Sequence, residues 1–312
     1  MSIYKDLITI CVATYDQEQY ITDCLNSIKK QTYKNIKIII SDDFSQDTTV
    51  KKIKKFLDTN KNLNITFYRQ KKNLGISKNI NFLRSKVKEK YSIFFAGDDI
   101  MYPTKIYEQL KALQKNQQSP FCYTNCAWLD QTSGKIIFNH YSSWRQNSKT
   151  LNELLSDNSL PTPTIMYNTK FLPNKIFNEK FKYLGDFTNI IDLWHNAKEA
   201  PIYINKVLSV YRKHPDSVMS KKIINQERIE LINFYSKKFK NDRTKINSLN
   251  KFKKLYLFNK GYEKILKKKL PIKEILIGIS SSAFSLRWAA RVFLMLVNIF
   301  YYRITKKFYR NI

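Results

Sequence analysis

The chain has 312 residues, with 55 Lys and Arg against 25 Asp and Glu, a net charge of +30, and is 43% hydrophobic and 14% aromatic. That is the composition of a folded chain, because it holds enough apolar surface to offset the entropy of ordering. Only 6 Gly and 8 Pro are present, which excludes collagen-like and Gly-linker classes. Neither GxxxxGK[ST] nor GxGxxG occurs, so kinase-type and dinucleotide-cofactor readings start with little support.

Residues 7–13 (LITICVA) form an apolar run short enough for a buried parallel strand. A helix is predicted over 18–30, with Tyr20, Ile21, Leu25 and Ile28 at helical spacing. A second strand over 36–40 ends in Ser41-Asp42-Asp43, and a helix follows over 48–57. Then come a strand over 64–68, a helix over 76–87, and a fourth strand over 91–96 that ends in Gly97-Asp98-Asp99. A helix over 103–114 opens with Pro at its first turn. This succession predicts an α/β fold with a mostly parallel sheet and helices on both faces. Ligands of such sheets bind beyond the carboxyl ends of the strands. Thr14-Tyr15-Asp16, Asp42-Asp43 and Asp98-Asp99 all fall there. Adjacent aspartates raise each other's pKa, and a hard divalent cation relieves the conflict. Asp98 and Asp99 are therefore candidate ligands for magnesium or manganese; the alternative is a turn whose aspartate caps the next helix.

Further along, Tyr183-Leu184-Gly185-Asp186 precedes a helical pattern, FTNIIDLWHNA. Asp186 sits at its start, where it reads as an N-cap, a role that leaves a catalytic one open. A strand over 207–211 leads into Arg212-Lys213-His214-Pro215, and His214 is a candidate metal or phosphate ligand. His140 and His195 have no comparable setting. Cys11, Cys24, Cys122 and Cys126 show no zinc-ligand spacing and read as buried thiols of a reducing compartment. The first residues lack a signal-peptide pattern, which places the expectation on the cytoplasmic side.

The charge is uneven. Residues 219–312 hold 23 basic and 5 acidic residues, a net +18, against 32 and 20 in residues 1–218. Lysines between 237 and 269 interleave with Leu255, Leu257, Phe258, Tyr262, Ile265 and Leu266 at helical spacing. A basic amphipathic helix reads as a surface for anionic lipid or nucleic acid, or as a solvated helix on its own domain. The apolar stretch within 272–302 falls short of the roughly 20 residues that a spanning helix needs, and Arg287, Arg291 and Asn298 interrupt it. Its aromatic and basic flanks, with Lys306, Lys307 and Arg310 beyond, suit an interfacial helix on an anionic inner leaflet. A core helix and a short tilted span are the other readings.

Taken in order, ITICVATYDQEQYITDCLNSIKKQTYKNIKIIISDDFSQDTT, NLGISKNIN, YSIFFAGDDIMYPTKI, YLGDF and VYRKHPDS resemble glycosyltransferase family 2 over residues 6–218. These are the inverting nucleotide-sugar transferases of GT-A fold. The resemblance implies a catalytic domain over 1–218, with a nucleotide-binding half (1–118) and an acceptor half (119–218). A helical, basic, membrane-associated region over 219–312 lies outside it. Thr14 and Tyr15 match the first-strand motif, whose Tyr packs on the nucleotide base. Asp43 matches the residue that accepts from the base's imino group, with Asp42 holding the loop. Asp98 and Asp99 match the end of the DxD-type motif that binds the nucleotide's diphosphate through a metal, with Ala96 where a first Asp is usual. Asp186 matches the catalytic base, with Gly185 where a Glu is common. His214 matches the His of a YRxH element, a metal or diphosphate ligand, and Arg212 approaches the diphosphate.

The activity so implied is metal-dependent, inverting transfer of a hexose or N-acetylhexosamine from a nucleotide sugar, with UDP the expected nucleotide. The cation would be manganese or magnesium. The acceptor would be a hydroxyl of a glycan or an undecaprenyl-diphosphate-linked saccharide, in the synthesis of a bacterial surface polysaccharide such as lipopolysaccharide or capsule. The enzyme would sit peripherally on the inner face of the cell membrane, with no nucleic-acid partner. Two other classes compete. A nucleic-acid-binding protein fits the +30 charge but has no RRM, KH or zinc-finger pattern. A metal-dependent nucleotidyltransferase or phosphotransferase would use the same aspartates but leaves Tyr15 and Asp43 without a role. A catalytically dead scaffold sits poorly with the intact Asp98, Asp99 and Asp186.

Overall fold

The first strand, β1 (Ile8–Thr14), is buried on both faces: Ile8, Ile10 and Val12 on one side and Thr9 and Cys11 on the other are all fully inaccessible. A strand in that setting needs a neighbour on each edge and helices above and below. β1 pairs in parallel with β2 (Ile36–Asp42) and with β4 (Tyr91–Ala96), and β2 pairs in parallel with β3 (Ile65–Arg69). The connecting helices are α1 (Ile21–Lys29), α2 (Thr49–Thr59) and α3 (Ile76–Ser85), with α4 (Lys105–Lys115) after β4. On α1, Ile21, Cys24, Leu25 and Ile28 are buried, the i, i+3, i+4, i+7 stripe of a helix packed on a sheet. Each predicted element of residues 7–115 is present within a few residues of its expected bounds.

The computed structural model describes residues 5–137, 149–157, 160–215 and 224–266. His140, the predicted segment 272–302, and Lys306, Lys307 and Arg310 lie outside the described residues.

Beyond residue 96 the sheet turns mixed. The added strands are β5 (Ile100–Met101), β6 (Phe121–Asp130), β7 (Lys135–Ile137), β8 (Met166–Asn168) and β9 (Ile202–Lys213). The sheet order is β3-β2-β1-β4-β8-β6-β9-β5, with β7 on β6. β8 runs antiparallel to both β4 and β6, β9 runs parallel to β6, and β5 runs antiparallel to β9. Three of these strands have only two or three residues. A run that short carries no period-2 signal and exists because its neighbours complete its hydrogen bonds. β9 extends five residues before its predicted start at 207, through the polar Asn205 and Lys206. Four further helices follow: α5 (Leu151–Asp157), α6 (Gly185–Asn196), α7 (Ile224–Lys238) and α8 (Arg243–Leu266).

The chain divides into two compact units, one of residues 1–154 and 158–231, the other of residues 155–157 and 232–312. All site residues below belong to the first. In the second, Leu249, Phe252 and Tyr256 of α8 are buried. Among the described residues no helix is long and apolar enough to cross a membrane. All four cysteines are free and buried.

Candidate active site

Hydrogen bonds stitch three strand ends into one rim. Asp43 N–H donates to the Thr14 carbonyl at 2.9 Å, and Gly97 N–H donates to the Ala13 carbonyl at 2.9 Å. Thr14 is buried, whereas Tyr15, the next residue, is 45% exposed. The Tyr15 phenol is pushed up, first by its contact with the Asp16 carboxylate. Asp42 is fully inaccessible and accepts from the Ser45 backbone N–H at 3.0 Å and from the Ser45 hydroxyl. Asp43 is 3% exposed; its Oδ1 accepts from Leu74 N–H at 2.7 Å and its Oδ2 from Gly75 N–H at 2.9 Å. Burial raises the Asp43 pKa, and those two N–H groups oppose the rise. Both aspartates of this pair therefore anchor the backbone of the rim.

The second pair is arranged differently. After β4 the chain passes through Gly97, where a Cβ would lie 2.5 Å from Gln17 Oε1, 3.0 Å from Ile21 Cδ1 and 3.1 Å from Thr14 Cβ, so a larger residue there requires these side chains to shift. The two residues of β5 then pair with Val210 and Ser209 of β9, which lays the end of β9 beside Asp98 and Asp99. His214 Nε2 lies 3.1 Å from Asp98 Oδ2. Asp99 turns inward, and its Oδ1 accepts from Arg212 N–H at 2.9 Å. Burial first, and then the charge of Asp98, push the Asp99 carboxyl well up. Neither aspartate caps the following helix: α4 begins after Thr104 with no side-chain cap, and Pro103 precedes that cap rather than opening the first turn.

Arg212 is 5% exposed. Its Nε donates to the Asp98 carbonyl at 2.8 Å, one terminal nitrogen donates to Gln131 Oε1 at 2.7 Å, and the other meets Asp23 Oδ2 at 3.1 Å. The guanidinium lies over the Tyr20 ring at 5.0 Å, and that ring contacts the His214 ring at 4.6 Å between centroids. Arg212 thus braces the Asp98 loop through its backbone.

Asp186 is the second residue of α6, not its N-cap; the cap is Leu184, which offers no side-chain hydrogen bond. Its Oδ1 accepts from Phe187 N–H at 2.7 Å and its Oδ2 accepts from the Thr162 hydroxyl. Burial raises the Asp186 pKa, and the Thr162 and Phe187 donors oppose the rise. Thr162 opens a short 3₁₀ turn, Thr162–Thr164, which Ser209 of β9 holds by donating to the Pro163 carbonyl at 2.8 Å. The Gly185 position is closed to larger residues: a Cβ there would sit 2.9 Å from Ser77 Oγ and 3.0 Å from Phe177 Cβ.

Among the described residues no three His, Cys, Asp or Glu side chains form a metal cage. The donor chemistry of Asp98 and His214 nevertheless suits a small divalent cation, which commonly takes one or two protein ligands and leaves the rest of its sphere to water and phosphate. The structure thus gathers two groups, Thr14, Tyr15, Asp42 and Asp43 on one rim and Asp98 and Asp99 of one loop with Arg212 and His214 from the end of β9, with Asp186 on a separate helix. Sequence reasoning missed Tyr20, Asp23, Gln131 and Thr162. Tyr20 stood out only as an apolar residue of the α1 pattern, and the other three carry no local signal.

Comparison with known proteins agrees with this architecture. Glycosyl transferase family 2 matches residues 9–170. An uncharacterized glycosyltransferase of Rickettsia typhi is 26% identical over 232 residues, covering 72% of this chain and 69% of that protein. A relative from Rickettsia bellii is 26% identical over 229 residues, and there the match spans only 32% of the longer chain. Staphylococcus aureus TarS 1-349, solved with UDP-GlcNAc, superposes with a TM-score of 0.61 at 21% identity, covering 97% of this chain and 91% of that one. The mannosyltransferase PcManGT from Pyrobaculum calidifontis, solved with GDP-Man and Mn2+, gives 0.57 at 12% identity, covering 95% and 86%. These likenesses establish a GT-A-type fold. With the family match running through the rim, the Asp98 loop and β8, the chain belongs to glycosyltransferase family 2.

Proposed function

We propose that this glycosyltransferase is inverting and metal-dependent, and that it moves a hexose or N-acetylhexosamine from a uridine-diphosphate donor to a glycan or lipid-linked saccharide hydroxyl. The observation that carries the reading is the 3.1 Å approach of His214 to Asp98, which β5 creates by bringing the end of β9 to the strand rim. In this reading Asp98 and His214 give a manganese or magnesium ion its protein donors, and Asp99 backs them from the buried side. When bound, the cation supplies positive charge to the leaving diphosphate. Arg212, behind the loop, fixes its shape and adds positive charge to its surroundings. Tyr15 offers an exposed ring face to the nucleobase, and Asp43 keeps the base-facing loop at 74–75 in place.

Asp186 acts as general base. Its carboxylate takes the acceptor proton as the hydroxyl attacks the anomeric carbon from the side opposite the diphosphate, so an α-linked donor yields a β-linked product. Burial raises its pKa, which makes it a better proton acceptor once ionised. The test is a thermal-shift screen of UDP-sugars and GDP-mannose with Mn2+ or Mg2+, repeated with chelator. A ligand selective for the native state raises the melting point, so metal-dependent shifts are expected for a uridine donor. Asp186→Asn should cut transfer by about 10²–10⁴-fold and leave that shift intact. Unimpaired transfer removes Asp186 as base, and chelator-insensitive donor binding removes the metal.

For the +18 region over 219–312, the proposal is peripheral attachment to the anionic inner leaflet, where a lipid-linked acceptor of surface-polysaccharide synthesis would be met. Residues 1–218 form the catalytic domain in this reading. Full-length protein should sediment with membranes at low salt and release at high salt; protein that stays out of the membrane fraction at low salt overturns the attachment.

A further inference from the structure

Glu227 lies beyond the family match, which ends at residue 170, and beyond the motif resemblance, which ends at 218. It is one of only 5 acidic residues among the 28 charged ones of residues 219–312. An acid in the first turn of a helix such as α7 usually needs no explanation beyond the helix dipole. This one, however, is 8% exposed. Its Oε2 accepts from Tyr183 N–H at 2.8 Å and its Oε1 from Lys182 N–H. Two successive backbone N–H groups converging on one carboxylate fix the peptide between them.

Those peptides belong to the segment that enters α6. Ser77 of α3 holds the same segment from another side, donating to the Phe181 carbonyl at 2.9 Å, and Gly185 is packed against Ser77 and Phe177 as described. Lys182 and Tyr183 precede Asp186 by four and three positions. The first turn of α6, which carries the Asp186 carboxylate, is therefore oriented by a clamp whose outer jaw is Glu227.

We infer that Glu227 is a positioning residue for transfer, acting through Asp186 by fixing the approach to α6. This rests on the reading of Asp186 as the base. The experiment uses the full chain, the nucleotide sugar giving the largest metal-dependent thermal shift as donor, and water or a simple alkyl glycoside as acceptor, with release of nucleoside diphosphate as the signal. Glu227→Ala should lower kcat about 10–100-fold, the scale of a small misplacement of a reacting group, and leave donor KM within about twofold. Glu227→Gln, which keeps one acceptor oxygen, should recover part of the loss. The double variant Asp186→Asn/Glu227→Ala should be no slower than Asp186→Asn, because residues acting through one group are not additive.

A raised donor KM with unchanged kcat overturns the inference, as does a double variant slower than Asp186→Asn by the full Glu227→Ala factor. Wild-type rates in Asp186→Asn would instead remove the base reading itself and, with it, the group that Glu227 serves. If Glu227→Ala does not fold, Glu227→Gln carries the test. Faster hydrogen exchange at the Lys182 and Tyr183 amides together with lower kcat supports the clamp; faster exchange with unchanged kcat overturns it.

Discussion

The molecule has two Asp-Asp pairs at the ends of neighbouring regions of one sheet, and they are built for different work. In the first, Asp42 and Asp43 both turn inward: Asp42 holds Ser45, and Asp43 holds the backbone of Leu74 and Gly75. In the second, the pair splits. Asp99 accepts from the Arg212 backbone N–H, while Asp98 keeps a partly exposed carboxylate beside His214. Two carboxylates adjacent in a chain cannot share one low-dielectric spot without raising each other's pKa. The first pair meets that constraint with backbone donors; in the second the conflict falls on the buried member, whose carboxyl burial and the Asp98 charge push up. A shared dipeptide therefore says nothing about a shared job; the neighbouring strands decide it.

The contrast yields three predictions. The largest effect belongs to Asp98→Asn, which should reduce transfer by about 10²–10³-fold, the range seen when one electrostatic stabiliser of a transition state is lost. It should abolish the metal-dependent donor shift and leave the melting point without ligand nearly unchanged. A variant that binds donor and metal as the wild type does would remove Asp98 from the diphosphate site. Next is Asp43→Ala, for which the loss is expected in stability. Two partly buried backbone N–H groups lose their acceptor, at up to about 1–3 kcal/mol for a buried group, and urea denaturation measures it. If stability holds and only donor affinity falls, the inward role of the first pair is wrong.

The smallest effect concerns the separate carboxylate on α6. The Thr162 hydroxyl donates to Asp186 and favours its charged form, so Thr162→Val should raise the Asp186 pKa further. The base works only when deprotonated. The acid limb of the kcat profile should therefore move to higher pH, with the plateau above it preserved. A profile that keeps its limb and loses height would mean that Thr162 acts on geometry alone.

How much of this was legible beforehand differs along the chain. The four N-terminal strands and their helices follow from apolar runs and helical spacing, because each buries side chains in a pattern that short windows capture. The positions of Asp43, Asp98, Asp186 and His214 at element ends were legible for the same reason. The contacts of Arg212 were not. The resemblance implied an approach to the diphosphate, whereas its guanidinium is engaged with the Asp98 carbonyl, Gln131 and Asp23. The N-cap reading of Asp186 also gives way, since the chain enters α6 two residues earlier.

By itself the sequence determined the alternation of strands and helices, the rim on which the acidic residues stand, and the family. Those properties are local or are carried by ordered motifs. Only the tertiary structure decided which aspartate faces outward, which hydroxyl holds Asp186, and that Glu227 reaches the approach to α6. Each of these depends on a pairing between distant segments: β5 on β9, the 162–164 turn on β9, and α7 on the 182–183 peptides. No window of the chain contains both partners of any of them, so their geometry exists only once the distant segments have packed together.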